Sequence, residues 1–285
     1  MKYLILAFWV AELVTLAVYI RSCWPERTRK SFYIKLLCSS IFLAYGITLA
    51  ALIRSGVNVA FAGTGDSELS AAANTFLQFT NGAPTTRVVH LIIAALVYGW
   101  IGDFFLGLAH QIGSGKTTEE EKDVALSEQI RNNKKTAANA LGVLAFLLGQ
   151  GLYCVAFGRA LAGYEIGLPV WSVVFFAIPI LVYVAIALIL KLGKHSVPLG
   201  VYFVAVAAMY GLASTLGVAL WNVNRVFSLC LLAGGLLFCL GDLGLALESY
   251  GGERFKKFAL RAPRQVFYFT AQMLLATTIL FFYTT

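Results

Sequence analysis

The stretch that decides the fold is residues 226–248, VFSLCLLAGGLLFCLGDLGLALE, an apolar run interrupted by one aspartate, Asp242. Its length fits the roughly 20 residues that a helix needs to cross a bilayer. An ionisable side chain inside such a helix is costly, by roughly 3 kcal/mol on insertion scales, and its default interpretation is functional. The stretch therefore predicts a membrane-spanning helix that carries a functional carboxyl group.

The rest of the chain is also largely apolar. Of its 285 residues, 59% are hydrophobic and 13% charged, and its mean hydropathy is +0.78, whereas soluble domains have about 25% charged residues. We therefore expect an all-α membrane protein that forms a single integral membrane domain over residues 1–285. Eight apolar stretches predict its transmembrane helices, at roughly 3–21, 32–53, 88–109, 137–159, 168–190, 198–221, 226–248 and 265–283.

Lys and Arg are distributed unevenly between the loops. The loops after the first, third, fifth and seventh stretches carry sixteen of them, and the loops after the second, fourth and sixth carry four. Because cytoplasmic loops are enriched in Lys and Arg, we expect both termini on the non-cytoplasmic side, in the plasma membrane if the protein is bacterial. The net charge of +8 is then an orientation signal, and no nucleic-acid partner is expected.

The phrase around Asp242 occurs a second time. Gly102-Asp103 and Gly241-Asp242 both begin a Gly-Asp-x-x-Leu segment, in the third and seventh stretches. An even number of helices per half gives two halves of the same orientation, so the match predicts two parallel four-helix repeats. The glycines also allow a neighbouring helix to approach closely. The halves would be about 1–160 and 161–285.

Two connecting loops are longer than the fold needs. Residues 55–86 are small and polar, and we expect a short helix around Glu68–Phe79 within them. Residues 110–136 are highly charged, and Thr118 followed by three glutamates is typical of a helix start. The sequence thus predicts a solvated cytoplasmic helix in the second loop.

The two aspartates are expected at the same depth. Asp103 lies 16 residues after Arg87, and Asp242 lies 17 residues after Arg225. With a helix rise of about 1.5 Å per residue, both carboxyl groups fall about 25 Å along parallel helices. Equal depth favours one shared cavity near the cytoplasmic side of the hydrocarbon.

Two carboxyl groups in a nearly dry cavity seldom both ionise, because desolvation and mutual repulsion disfavour the second charge. Such a pair supplies one acid and one base, which suits hydrolysis of an acid-labile bond. The alternative is that Asp103 and Asp242 only form hydrogen bonds between helices. The sequence predicts the catalytic pair.

Other polar residues at membrane depth are candidates for substrate binding or support of the pair. Lys35 enters the second stretch from the cytoplasmic side, where it could contact a phosphate or extend its ammonium group to water. The i, i+3 spacing of Gln150 and Tyr153 places them on one helix face. The full set is Glu12, Lys35, Gln150, Tyr153, Tyr183 and Gln272.

The sequence gives no basis for a metal site or a cofactor. Its three histidines, His90, His110 and His195, are scattered near the ends of apolar stretches or in loops. None forms the closely spaced His or Cys/His pattern that zinc sites use. We therefore expect neither a metal nor another cofactor.

Four segments carry a pattern that extends beyond the two aspartates: Tyr98–Leu106, Gly142–Tyr153, Gly234–Asp242 and Ala271-Gln272. Together they resemble the lysoplasmalogenase family (YhhN-like), eight-helix membrane proteins. The Lys35-Leu36 pair is similar to the family's Lys-Pro. In the family, His is usual where this chain has Gln150, and Ser is usual where it has Gly241.

The resemblance implies hydrolysis of the vinyl ether bond of lysoplasmalogens, with a phosphocholine or phosphoethanolamine head group, to a fatty aldehyde and a glycerophospho-alcohol. The partners would be this lysophospholipid and membrane lipid, and a homo-oligomer stays open. The main alternative is a proton-coupled transporter or channel with the same acids as a relay. An intramembrane aspartyl protease is less consistent, since Trp100 and Cys239 stand where its phrase has glycine. A purely structural role is the remaining alternative.

Overall fold

A computed structural model describes residues 2–23, 29–54, 85–114, 124–193, 196–251 and 258–282. The described chain is helical, and eight of its helices are long and apolar enough to cross a membrane. In chain order the α-helices are α1 Lys2–Ser22, α2 Arg29–Arg54, α3 Thr85–Ser114, α4 Val124–Gly163, α5 Val173–Ile189, α6 Ser196–Ala219, α7 Arg225–Tyr250, α8 Phe258–Thr277 and α9 Ile279–Phe282. A 3-10 turn precedes α5, and the short helix α9 continues α8.

The prediction of eight transmembrane helices in an all-α protein is confirmed, but the predicted starts of the fourth and eighth helices are wrong, since α8 begins at Phe258 rather than near residue 265. The fourth helix begins at Val124 rather than near residue 137. The described part of the predicted cytoplasmic helix is therefore not separate, because it continues without a break into the spanning part of α4. Hydropathy detects only the apolar part of a helix, and polar residues with good helix propensity extend it into solvent.

Two sequence predictions lie outside the described residues. The expected short helix at Glu68–Phe79 falls there, as does the proposed helix start at Thr118. The two parallel four-helix repeats also stay a prediction.

α8 is the central helix of the bundle. It packs against α1, α2, α3 and α7, whereas α5 packs mainly on α6. In the most apolar part of the span Leu260–Phe282, which includes most of α8 and all of α9, 78% of the residues are buried inside the protein, against 11% in the span Val170–Ile189, which includes α5. An inner helix contacts protein on every side. α8 can therefore present polar groups to several neighbouring helices at once.

The turn between α6 and α7 is short, as the sequence predicts. Asn224 precedes α7, and its side-chain oxygen accepts a hydrogen bond of 3.0 Å from the backbone N–H of Phe227. This N-cap satisfies one of the free amides at the helix start. The cap fixes where α7 begins and therefore the depth at which Asp242 lies.

Candidate active site

Asp103 is the most heavily hydrogen-bonded acid in the described membrane spans. Its Oδ1 lies 2.6 Å from the Nζ atom of Lys35. Its Oδ2 accepts hydrogen bonds from the hydroxyls of Ser39 at 2.7 Å and Tyr268 at 2.9 Å. Lys35 and Ser39 share a face of α2 because they are four residues apart. The residue is only 3% exposed, and its three partners are two hydroxyl groups and the ammonium group of Lys35.

Asp242 has sparser surroundings. Among the described residues, the hydroxyl of Tyr202 on α6 is the one hydrogen-bond donor to its carboxyl group, at 2.7 Å from Oδ2. Arg264 on α8 is close enough to attract a negative charge on it. Asp242 is 6% exposed. A carboxyl group with one neutral donor and little water is the better candidate for the protonated member of a pair.

Each predicted close-approach glycine lies against a neighbouring helix. A Cβ atom on Gly102 would stand 2.6 Å from the ring of Phe146 on α4. A Cβ atom on Gly241 would stand 3.3 Å from the backbone nitrogen and the Cβ atom of Tyr268 on α8. Gly102 therefore lets α4 pack beside Asp103, and Gly241 lets α8 pack beside Asp242.

Both aspartates line one small cavity, which we call the acid cavity. Its volume is about 30 Å³, enough for about one water molecule. Since the two carboxyl groups come from different halves of the chain, their meeting at one cavity is a tertiary arrangement that the shared depth alone did not guarantee. The acid cavity is lined by Lys35, Asp103, Leu106, Phe146, Gly241, Asp242, Leu245, Arg264, Gln265 and Tyr268.

A chain of hydrogen bonds leads from Tyr153 on α4, through two residues of α8, to Asp103. The hydroxyl of Tyr153 donates to Oε1 of Gln272 at 2.9 Å. The side-chain amide of Gln272 donates to the hydroxyl of Tyr268 at 3.3 Å, and Tyr268 donates to Asp103. The donors all point the same way along this chain, so each bond polarises the next one toward the carboxylate.

Two other predicted residues are buried with incomplete hydrogen bonding. Among the described residues, neither carboxyl oxygen of Glu12 has a partner, although the residue is 2% exposed. Glu12 is close enough to Asp103 for two negative charges to repel. The Oε1 atom of the buried Gln150 likewise has no donor within the described chain. Unsatisfied buried groups of this kind are uncommon and call for an explanation.

The structure does not bring Tyr183 to the acid cavity. Its hydroxyl donates to the backbone carbonyl of Ser196 at the turn between α5 and α6, and its ring stacks on Phe203. α5 lies at the edge of the bundle, so a tyrosine on it is far from the central helix that carries the site. The depth predicted for Tyr183 in the membrane does not indicate which helices lie beside it.

A larger cavity opens beside the acid cavity, and we call it the basic vestibule. Its volume is about 400 Å³. Lys35, Leu106, Leu245 and Arg264 line both cavities, so the two adjoin. The vestibule defines the basic end of the bundle, and its lining residues are Tyr19, Arg29, Ser31, Phe32, Lys35, Leu106, Gly107, Ala109, His110, Gln111, Lys135, Asn139, Leu245, Glu248, Ser249, Arg261 and Arg264.

Sequence reasoning missed several residues of the site. Ser39 could have been found from Lys35, because it lies one turn further along the same helix. Tyr202 and Tyr268 gave no usable signal, since tyrosine is common in membrane helices. Arg264 was assigned to a cytoplasmic loop, although it is 8% exposed and lines both cavities.

Comparison with known proteins identifies the family of the chain. The model of the YhhN family matches residues 68–279. The match covers most of the chain, including both aspartates, and confirms the resemblance inferred from the motifs. Comparison with the curated proteins gave no match, and comparison with the solved structures gave none.

Proposed function

The chain belongs to the YhhN family, and from this premise and the paired acids we propose that it hydrolyses the vinyl ether bond of lysoplasmalogens. One observation carries the proposal: two buried carboxyl groups with unlike surroundings line the same cavity. Unlike surroundings keep one carboxyl group protonated while the other is ionised, which is the requirement for acid–base hydrolysis.

The hydrogen bonds favour one assignment of the two roles. Asp103 is the carboxylate, because Lys35 supplies a cation and two hydroxyls supply further hydrogen bonds. Asp242 is the acid, because Tyr202 is its one hydrogen-bond donor among the described residues, which leaves one carboxyl oxygen able to hold a proton. Arg264, which also pairs with Glu248 at 3.1 Å, moderates rather than cancels this difference.

The reaction then runs in three steps. Asp242 transfers its proton to the alkene carbon that is not bonded to oxygen, which leaves an oxocarbenium ion stabilised by Asp103. Water adds to the cationic carbon and gives a proton to Asp103, forming a hemiacetal. On collapse, the hemiacetal hydroxyl proton returns to Asp242 and the proton on Asp103 goes to the departing glycerol oxygen. The products are a fatty aldehyde and a glycerophospho-alcohol, and both carboxyl groups regain their starting state.

The acid cavity is large enough for the water molecule that reacts but not for the vinyl ether substrate. Its volume of about 30 Å³ holds about one water molecule, whereas an alkenyl group is larger. Binding of the ether therefore requires a lining side chain to move, and Phe146 is the large apolar side chain that packs over Gly102. Closure around the substrate would then exclude bulk water and strengthen the electrostatic interactions.

The proposal is tested by aldehyde release from a lysoplasmalogen in detergent, with an ester-linked lysophospholipid as the specificity control. Asp103→Asn and Asp242→Asn should each lower kcat by roughly 10²-fold or more, because each removes one proton-transfer group. Glu165→Gln makes the same chemical change at an exposed position outside both cavities and should retain activity. Wild-type activity in either aspartate variant would remove that residue from the mechanism.

A proton-coupled transporter is the second candidate, and the buried acids favour it. Glu12 is a further buried acid close to Asp103, and Tyr268 donates a hydrogen bond to Asp103. Intramembrane acids are typical of proton relays. Substrate-dependent proton flux in proteoliposomes, without aldehyde release, would favour transport over hydrolysis.

The orientation is part of the same proposal. We propose that the basic end faces the cytoplasm, with both termini on the other side, because Lys and Arg concentrate in the loops at that end. The lysophospholipid would then reach the site from the cytoplasmic leaflet. Labelling of a single introduced cysteine in intact cells would test this placement.

A further inference from the structure

The basic vestibule carries more positive charge than the proposed chemistry uses, since only Lys35 has a role in it. Among the described residues that line the vestibule, five side chains are cationic and one, Glu248, is a carboxylate. Its volume of about 400 Å³ falls in the range of small-molecule sites. Hydroxyl and amide groups of Ser31, Asn139 and Ser249 add hydrogen-bonding groups to the lining. The cationic residues are Arg29, Lys35, Lys135, Arg261 and Arg264.

Two carboxylates among the described residues form ion pairs with cations of the vestibule. Lys35 pairs with Asp103 at 2.6 Å. Glu248 pairs with both Arg261, at 2.9 Å, and Arg264, at 3.1 Å. Within the described part of the chain, five cations thus stand against two carboxylates, an excess of three positive charges. A concave, partly buried site concentrates the resulting field and attracts anions.

We infer that the basic vestibule binds the phosphodiester of the substrate's head group. Guanidinium groups match phosphate oxygens through paired N–H donors, and ammonium groups add a point charge. Glu248 fixes the guanidinium groups of Arg261 and Arg264 in place, so less side-chain freedom is lost when an anion binds. This inference rests on the proposed function, because it assigns a second part of the same substrate.

The junction of the two cavities explains how a bound phosphate would position the ether. Lys35 and Arg264 line both cavities, so a phosphate near them lies beside the acid cavity. The three-carbon glycerol unit then spans the junction, past Leu106 and Leu245, and the vinyl ether reaches the paired acids. The head group thereby contributes to orientation, which lowers the entropic part of the barrier.

The test uses two vestibule residues and their sequence neighbours. Arg29→Gln/Lys135→Gln removes two vestibule charges. Lys30→Gln/Lys134→Gln removes the same charge from exposed neighbours that do not line it. The first variant should raise KM for a lysoplasmalogen by about tenfold with kcat little changed, since each exposed contact contributes modestly. The second should behave as wild type.

The matched substrate is 1-alkenylglycerol, which has the same ether and no phosphate. Its KM should be unchanged by Arg29→Gln/Lys135→Gln if the vestibule recognises phosphate. An equal rise in KM for both substrates would overturn the inference, because it would indicate a general disturbance of the site. No rise for either substrate would overturn it as well.

A binding measurement separates this inference from the proposed reaction. Water-soluble sn-glycero-3-phosphocholine should raise the unfolding temperature of the detergent-solubilised wild type and of Lys30→Gln/Lys134→Gln. The same ligand concentration should give a clearly smaller rise in Arg29→Gln/Lys135→Gln. Stabilisation by the glycerophosphodiester without any ether cleavage would support the vestibule and refute the hydrolase. Stronger stabilisation by inorganic phosphate would overturn the head-group assignment in favour of a free-phosphate site, and stabilisation by neither ligand would overturn the vestibule assignment.

Discussion

Replacement of Lys35 by Met separates the structural role of the Lys35–Asp103 ion pair from its chemical role. The single variant Lys35→Met leaves the carboxylate of Asp103 buried without its cation. The double variant Lys35→Met/Asp103→Asn removes both charges and keeps an acceptor oxygen for Ser39 and Tyr268. We expect the single variant to be the less stable of the two, and both to be inactive.

The size of the effect follows from the geometry. Removal of one partner of a buried ion pair costs about 3–5 kcal/mol. The Lys35 side chain is 14% exposed and that of Asp103 2%, and two hydroxyls still bond Asp103, so the cost should lie near the lower limit, about 3 kcal/mol. The double variant has no unpaired charge and should lose only about 1 kcal/mol. The second substitution should therefore restore about 2 kcal/mol of stability.

The assay is unfolding in mixed detergent micelles, with aldehyde release measured on the same samples. Lys30→Met, an exposed change in the same helix, should alter the free energy of unfolding by no more than about 0.5 kcal/mol. Equal stability of the single and double variants would refute the argument that a stranded charge causes the loss. Recovery of activity in the double variant would refute the role of Asp103 as the carboxylate.

Three further predictions concern Gly102, Tyr202 and Asn224. Gly102→Ala should destabilise the protein by about 1–3 kcal/mol, since its methyl group meets the ring of Phe146, and Phe146→Leu in the same chain should recover part of the loss in a thermal unfolding assay. Tyr202→Phe should lower kcat by about tenfold with little change in KM, because Asp242 loses its one donor; an unchanged kcat would contradict this role. Asn224→Ala should lower the free energy of unfolding by about 1 kcal/mol through the lost cap, while Asn224→Gly should cost less.

The fold was largely predictable because the bilayer imposes one rule on every helix. Apolar runs of about 20 residues are the main signal for a spanning helix, and all eight appear in the structure. The start of α4 at Val124 was not predictable from hydropathy, because the polar residues before its apolar part are helical for reasons of propensity and not of burial.

The site was predictable only in part. Asp103 and Asp242 stand out because an acid in a membrane span is rare. Their partners do not stand out, because which helix faces them depends on the rotation and packing of each helix. Tyr268 reaches Asp103 since α8 lies at the centre of the bundle, and Tyr183 misses the site since α5 lies at its edge. A hydropathy profile predicts neither the central position of α8 nor the peripheral position of α5.

The central position of α8 ties the two acids together mechanically. Tyr268 touches Asp103 through its hydroxyl and lies against Gly241 through its backbone, and Arg264 packs against Gly244 one turn earlier on α8. A tilt or rotation of α8 would therefore change the surroundings of both carboxyl groups at the same time.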